Sequence, residues 1–142
     1  MKALSIRQPW AWAIAHAKKD VENRTWHMRY RGVLALHASK SMTRSRYETF
    51  ERFWREGLGE EYIRRFPLLP LASDLIRGAV IAVAEAVDCV HESESRWFAG
   101  PHGLLLQNLR VLAEPVYCRG ALGFFNLPKE IAMKIEEELA IV

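Results

Sequence analysis

The chain is poor in several features that would classify it at once. It has two cysteines in 142 residues, Cys89 and Cys118, too few and too irregularly placed for a disulfide framework or a thiolate metal site. The expectation is a reduced, cytoplasmic protein whose two thiols serve as small core residues. Long apolar runs are missing: the stretches over 79–87 and 9–15 fall far short of a membrane span. Arg7 and Gln8 interrupt the place where a signal peptide would need unbroken apolar residues, so none is expected. There is no internal repeat and no low-complexity tract, which excludes a solenoid and a disordered linker protein. Strands and helices do not alternate in βαβ fashion, which argues against a doubly wound sheet.

What is present is ordinary globular composition, 50% apolar and 26% charged, in a length suited to one core and one domain. The net charge of +3 is mild but unevenly spread. Residues 1–40 carry +6, residues 41–66 carry +1 and residues 67–142 carry −4. A basic end on a nearly balanced chain points to a local anionic partner rather than to a protein that binds polyanions over its whole surface.

The opening "KALSI" reads as a strand and "QPWAWAIAHAKK" as a helix with Pro9 at its first position, where a missing N–H costs nothing. On a helical period Trp10, Ala13, Ile14 and Ala17 share one face, while Trp12, His16 and Lys19 share another. One tryptophan should therefore anchor the core and the other lie beside Lys19. "VLALHA" is a buried strand. Residues 41–66 turn helical, with Tyr47, Phe50 and Trp54 in one stripe and Tyr62, Ile63 and Phe66 in a second after the break "EGLGE". A proline-punctuated linker leads to the long strand "GAVIAVAEAVDCV". Two further strands, "GLLLQNLRVL" and "VYCRGALGFFNL", are expected on either side of Glu114–Pro115. Pro128 opens a final helix with the stripe Ile131, Ile135 and Leu139. Together these predict an α+β domain, a small mixed β-barrel with peripheral helices.

The densest chemistry lies in "AKKDVENRTW". With the helix ending near Lys18 or Lys19 and extended chain after it, Glu22, Arg24 and Trp26 share one side and Val21, Asn23 and Thr25 the other. Lys19 can lean toward the first group. Lysine offers a mobile point charge, arginine a flat fork for phosphate or carboxylate, and tryptophan a stacking surface. A carboxylate there can orient the arginine or read a base edge. The alternative is a Glu22–Arg24 pair that only fixes the loop, and spacing alone leaves both open.

These residues carry a resemblance. "AKKDVENR" resembles the GxKxxExR signature of ASCH domains, a group within the PUA-like superfamily, with Ala17 at the glycine, Lys19 at the lysine, Glu22 at the glutamate and Arg24 at the arginine. The flanks "LSIRQPWA", "YRGVLALHASK" and "GLLLQNLRVL…RGALGFFNLP" are similar to that family in the same order, and 41–77 stands out as a helical insertion. The resemblance implies a single PUA-like domain over 1–142 that binds RNA or a nucleotide-like ligand in a cleft beside the signature. Arg7, Gln8, Trp12, Lys19, Glu22, Arg24, Trp26 and Lys40 are then the binding residues. The runner-up is a hydrolase on a modified nucleoside or RNA, with Lys19 and Glu22 as its chemical groups. The amidohydrolase branch, however, has threonine where this chain has Glu22, so the hydroxyl chemistry of that branch does not carry over. A third reading is a protein-interaction module whose contact surface is 41–66. His16 or His37 are the bases a ribonuclease would use. His16, His27, His37, His91 and His102 show no metal-ligand spacing, and no metal or cofactor is expected.

Overall fold

The computed structural model describes residues 1–141; Val142, the last residue of the expected single domain, lies outside them. The strands are β1 (Lys2–Ile6), β2 (Val21–Arg24), β3 (Gly32–Ala38), β4 (Ala79–Val90), β5 (His102–Tyr117) and β6 (Phe124–Asn126). The helices are α1 (Trp10–His16), α2 (Arg44–Arg52), α3 (Glu60–Ile63) and α4 (Lys129–Ile141). One mixed sheet runs in the order β2-β5-β4-β3-β1-β6. Among the described residues only β1 and β3 pair in parallel, and the other neighbours are antiparallel. The sheet curls into a half-barrel, an α+β arrangement that agrees with the small mixed barrel the sequence pattern predicts and with the PUA-like fold the resemblance implies.

The strands "GLLLQNLRVL" and "VYCRGALGFFNL" do not part at Glu114–Pro115. Instead β5 runs unbroken through both residues. Val80 pairs with Val116 while Ala82 pairs with Val111, so four residues of β5 face Ile81 alone. Pro115 falls inside this bulge, where its missing N–H takes no hydrogen bond from the ladder. A second bulge seats Asn108 at φ 53° between Arg110, opposite Val83, and Gln107, opposite Glu85. Both irregularities bend the longest strand, and bending is what lets six strands curl.

Period-2 alternation, reset at the bulges, sorts the strand residues between two faces. Leu4, Ile6, Leu34, Leu36, Ala82, Leu104 and Leu106 pack with Ala11 and Ile14 of α1. Ala3, Ala35, Val80, Val83, Leu112 and Val116 face the other way and pack with Ile135 of α4, the centre of the stripe that runs from Ile131 to Leu139. The helical segment after β3 makes a third core. Thr43 caps α2 by accepting from the Arg46 amide at 3.2 Å. The chain then widens into a π-helical turn over Phe53–Gly57, where a Cβ on Gly57 would stand 2.6 Å from the Phe53 ring. Phe50 and Trp54 are buried against Trp12 and Trp97. The aromatic side of 41–66, which the third reading takes as a contact surface for a partner, packs on Trp12 of helix α1 and on Trp97.

Candidate functional site

Helix α1 ends sooner than its sequence suggests, at His16. Ala17 caps it at φ −128°, ψ 20°, so the position held by glycine in the signature needs no left-handed backbone here. That conformation falls on Lys18, at φ 56°. The reversal brings the Lys19 amide back onto the Ala13 carbonyl at 3.1 Å and sends its side chain inward. It is Trp10, rather than Trp12, whose ring faces the Lys19 ammonium, 5.8 Å away.

From Val21 the chain is extended, and the expected alternation holds. Glu22 and Arg24 share a side. Arg24 Nε donates to Glu22 Oε2 at 3.0 Å, and Nη2 lies 2.9 Å from the same oxygen. Lys19 Nζ donates to Glu22 Oε1 at 3.1 Å and to the Val21 carbonyl. Asn23, on the other side, donates to the Trp97 carbonyl and accepts from the Ala99 and Gly100 amides, pinning the segment before β5. The Arg24 guanidinium then reaches beyond its own strand to the Ser5 carbonyl of β1 at 2.8 Å. β2 is one edge of the sheet, and β1 lies next to the other edge, β6. The network is thus a clasp across the open side of the half-barrel. Just beyond it Trp26 packs edge-on against Phe124 of β6 at 5.8 Å, still 40% exposed.

The three signature charges are together, and two of them are buried. Lys19 is 3% exposed and Glu22 7%, while Arg24 keeps 23% of its side chain in solvent. A cavity of about 190 Å³ lies between Gln8, Trp12, His16, Leu75 and Pro115, and one of about 280 Å³ lies beside Tyr47 and Glu51; none of the three lines either. Gln8 and Trp12 are also committed internally. The Gln8 amide donates to the Ile76 carbonyl at 2.7 Å and accepts from the Trp12 amide N–H at 2.8 Å, and the Trp12 ring packs on Trp54 at 5.3 Å. His37 is buried with Nδ1 on Ser5 Oγ and Nε2 on the Cys118 carbonyl, both at 2.9 Å, so neither ring nitrogen is free to act as a base. His16 stands at the first cavity, where partial burial lowers its pKa.

Charge that does face solvent gathers at one end of the sheet. The register runs level from Ile6 to Ala38, from Ala38 to Ala79 and from Ala79 to Tyr117. Arg7 follows the end of β1, Lys40 that of β3 and Arg119 that of β5, while Arg77 precedes β4. All four are exposed, and among the described residues none has a carboxylate within 4.0 Å. Arg24 joins this rim through Ser5. So does the segment bearing Arg119: a Cβ on Gly120 would lie 2.5 Å from Ser5 Oγ, so the chain there sits directly on β1. Sequence reasoning names Arg7 and Lys40 but not Arg77 and Arg119, which join them only through strand register. Each of the latter precedes a glycine at a strand end, the one local sign they carry. Three of the histidines without ligand spacing, His27, His91 and His102, also meet, at the far end of β4 and β5.

Comparison with known proteins bears on the fold. The family model described as ASCH domain matches residues 4–137. Among similar solved structures is that of ASCH from Zymomonas mobilis, 14% identical, with a TM-score of 0.54 over 96% of this chain and 93% of that one. Another is a variant of the Zymomonas mobilis protein with one tyrosine replaced by phenylalanine, 16% identical, with a TM-score of 0.52 over 96% of both chains. No curated protein matches the sequence.

Proposed function

The chain belongs to the ASCH domain family, and on that premise we propose that it binds single-stranded RNA along the basic rim formed by Arg7, Arg24, Lys40, Arg77 and Arg119. The observation that carries this reading is the level register of four strand ends, which brings four exposed cations without acidic partners to one end of the sheet. Lone exposed charges on separate strands would be solubility features; a row of them fits a polyanion backbone. In this reading Arg24 is the one signature side chain that meets a phosphate. Glu22 and Lys19 are positioning residues that hold its guanidinium at the Ser5 carbonyl. Trp26 offers an exposed ring on which a base can stack. A role for Lys19 and Glu22 as chemical groups in a hydrolase is less well supported, because their polar atoms are bound to each other, to Arg24 and to the Val21 carbonyl.

The test is the salt dependence of affinity for a short unstructured RNA, read by fluorescence anisotropy. Engaging four or five phosphates gives a slope of log K against log salt of about −3. The double variant Arg77→Ala/Arg119→Ala should flatten that slope by about 1.4 with the fold intact. An affinity that is independent of salt, or unmoved in this variant and in Arg7→Ala/Lys40→Ala, refutes the proposal. A DNA of the same sequence run in parallel reports whether the 2′-hydroxyl matters.

A further inference from the structure

Three neighbouring strands each deliver one histidine to a single point. His102 opens β5, the strand between β2 and β4 in the sheet. Arg24, the last residue of β2, pairs with His102 itself, and Val90, the last residue of β4, pairs with Gly103. His91 is the residue directly after β4 and His27 lies three residues beyond β2, and both rings meet that of His102 at the start of β5. The ring centroids of His91 and His102 are 4.9 Å apart, those of His27 and His102 5.8 Å, and those of His27 and His91 6.2 Å. One nitrogen from each ring lies within 4.8 Å of the other two.

This is close to what a single ion requires. With metal–nitrogen bonds of about 2.0–2.1 Å at tetrahedral angles, three imidazole nitrogens stand about 3.3 Å apart and their ring centres about 5 Å apart. His27 and His91 are exposed and lie outside the strands, so their rings can turn toward one ion. The third ring shows the need for a partner: His102 Nδ1 is buried and has no hydrogen-bond partner, whereas nearly all buried polar atoms have one.

We propose that His27, His91 and His102 form a binding site for a divalent transition-metal ion of the zinc type. Imidazole suits zinc, copper and nickel better than calcium or magnesium, which take oxygen ligands. Three histidines with no fourth protein ligand in the group leave one coordination position open, the pattern of zinc sites that hold water or an exchangeable ligand rather than of closed structural sites. The site lies at the opposite end of β4 from Arg77, but it adjoins the RNA reading's Arg24, which pairs with His102, and Trp26, which precedes His27. The metal titration is therefore read without RNA, so that its failure and that of the RNA reading are told apart.

The experiment uses the full, untagged chain, stripped with chelator and titrated with zinc chloride by calorimetry. A parallel titration with cobalt(II) is followed by the visible absorption of a tetrahedral complex. The expected result is one equivalent bound, with a zinc-dependent rise in Tm. His27→Ala, His91→Ala and His102→Ala should each weaken binding by more than the about 10–100-fold that loss of an outer-shell partner costs, and His16→Ala should leave it unchanged. His27 and His91 are exposed, so their variants keep the metal-free Tm and decide the matter if His102→Ala fails to fold. Absence of saturable one-to-one binding, several weak equivalents, or full affinity retained in any one of the three variants overturns the proposal.

Discussion

Replacing Glu22 by alanine tests the clasp at its centre. The Glu22 carboxylate holds Lys19 through one oxygen and Arg24 through the other. Without it the Lys19 ammonium, 3% exposed, is left with the Val21 carbonyl and the face of Trp10. Removing one partner of a buried ion pair costs about 3–5 kcal/mol, because the other charge stays desolvated. Arg24 suffers less, since it is partly solvated and keeps the Ser5 carbonyl. For a domain of this size the loss corresponds to a fall in Tm of roughly 10–20 °C. In urea the midpoint drops by about 1.5–3 M with an unchanged m-value. Lys19→Met is the informative companion. It removes the buried ammonium but leaves Glu22 paired with Arg24, so the cost is about 1–3 kcal/mol and smaller than that of Glu22→Ala. A Glu22→Ala loss below about 1 kcal/mol, the range of an exposed pair, would show that water reaches the network and that it does not close the barrel.

Two further outcomes follow from the same geometry. Gly120→Ala places a Cβ 2.5 Å from Ser5 Oγ and 2.7 Å from His37 Cε1; overpacking of this kind costs about 1–3 kcal/mol, measured by chemical denaturation, and a neutral result would mean that the Ser5–His37 contact is loosely held. Trp26→Ala should leave Tm within a few degrees while weakening RNA binding by the about 1–3 kcal/mol of a stacked base, seen as roughly a 5- to 150-fold rise in Kd; unchanged affinity removes Trp26 from the interface.

Alternation after Val21 predicts the Glu22–Arg24 pairing, because a strand has only two sides. The stripe Ile131, Ile135, Leu139 predicts the face α4 buries, because a helix repeats about every 3.6 residues. Pro115 misleads, since a bulge accommodates a residue that a regular ladder would reject. Trp12 misleads too: the two faces of α1 are readable, but their occupants depend on where Lys18 turns the chain.

What the sequence settles by itself is therefore the local periodicity and the composition of the signature: an α+β chain, a helix then a strand, and three ionic groups brought to one side. Whether those groups point to solvent or to each other depends on the curl of the sheet, which carries β1 within reach of Arg24. Arg77 and Arg119 joining Arg7 and Lys40, and His27 meeting His91 and His102, depend on the same thing. Strand register brings together residues far apart in the chain, and register is decided by the packing of whole faces rather than by any short run of residues.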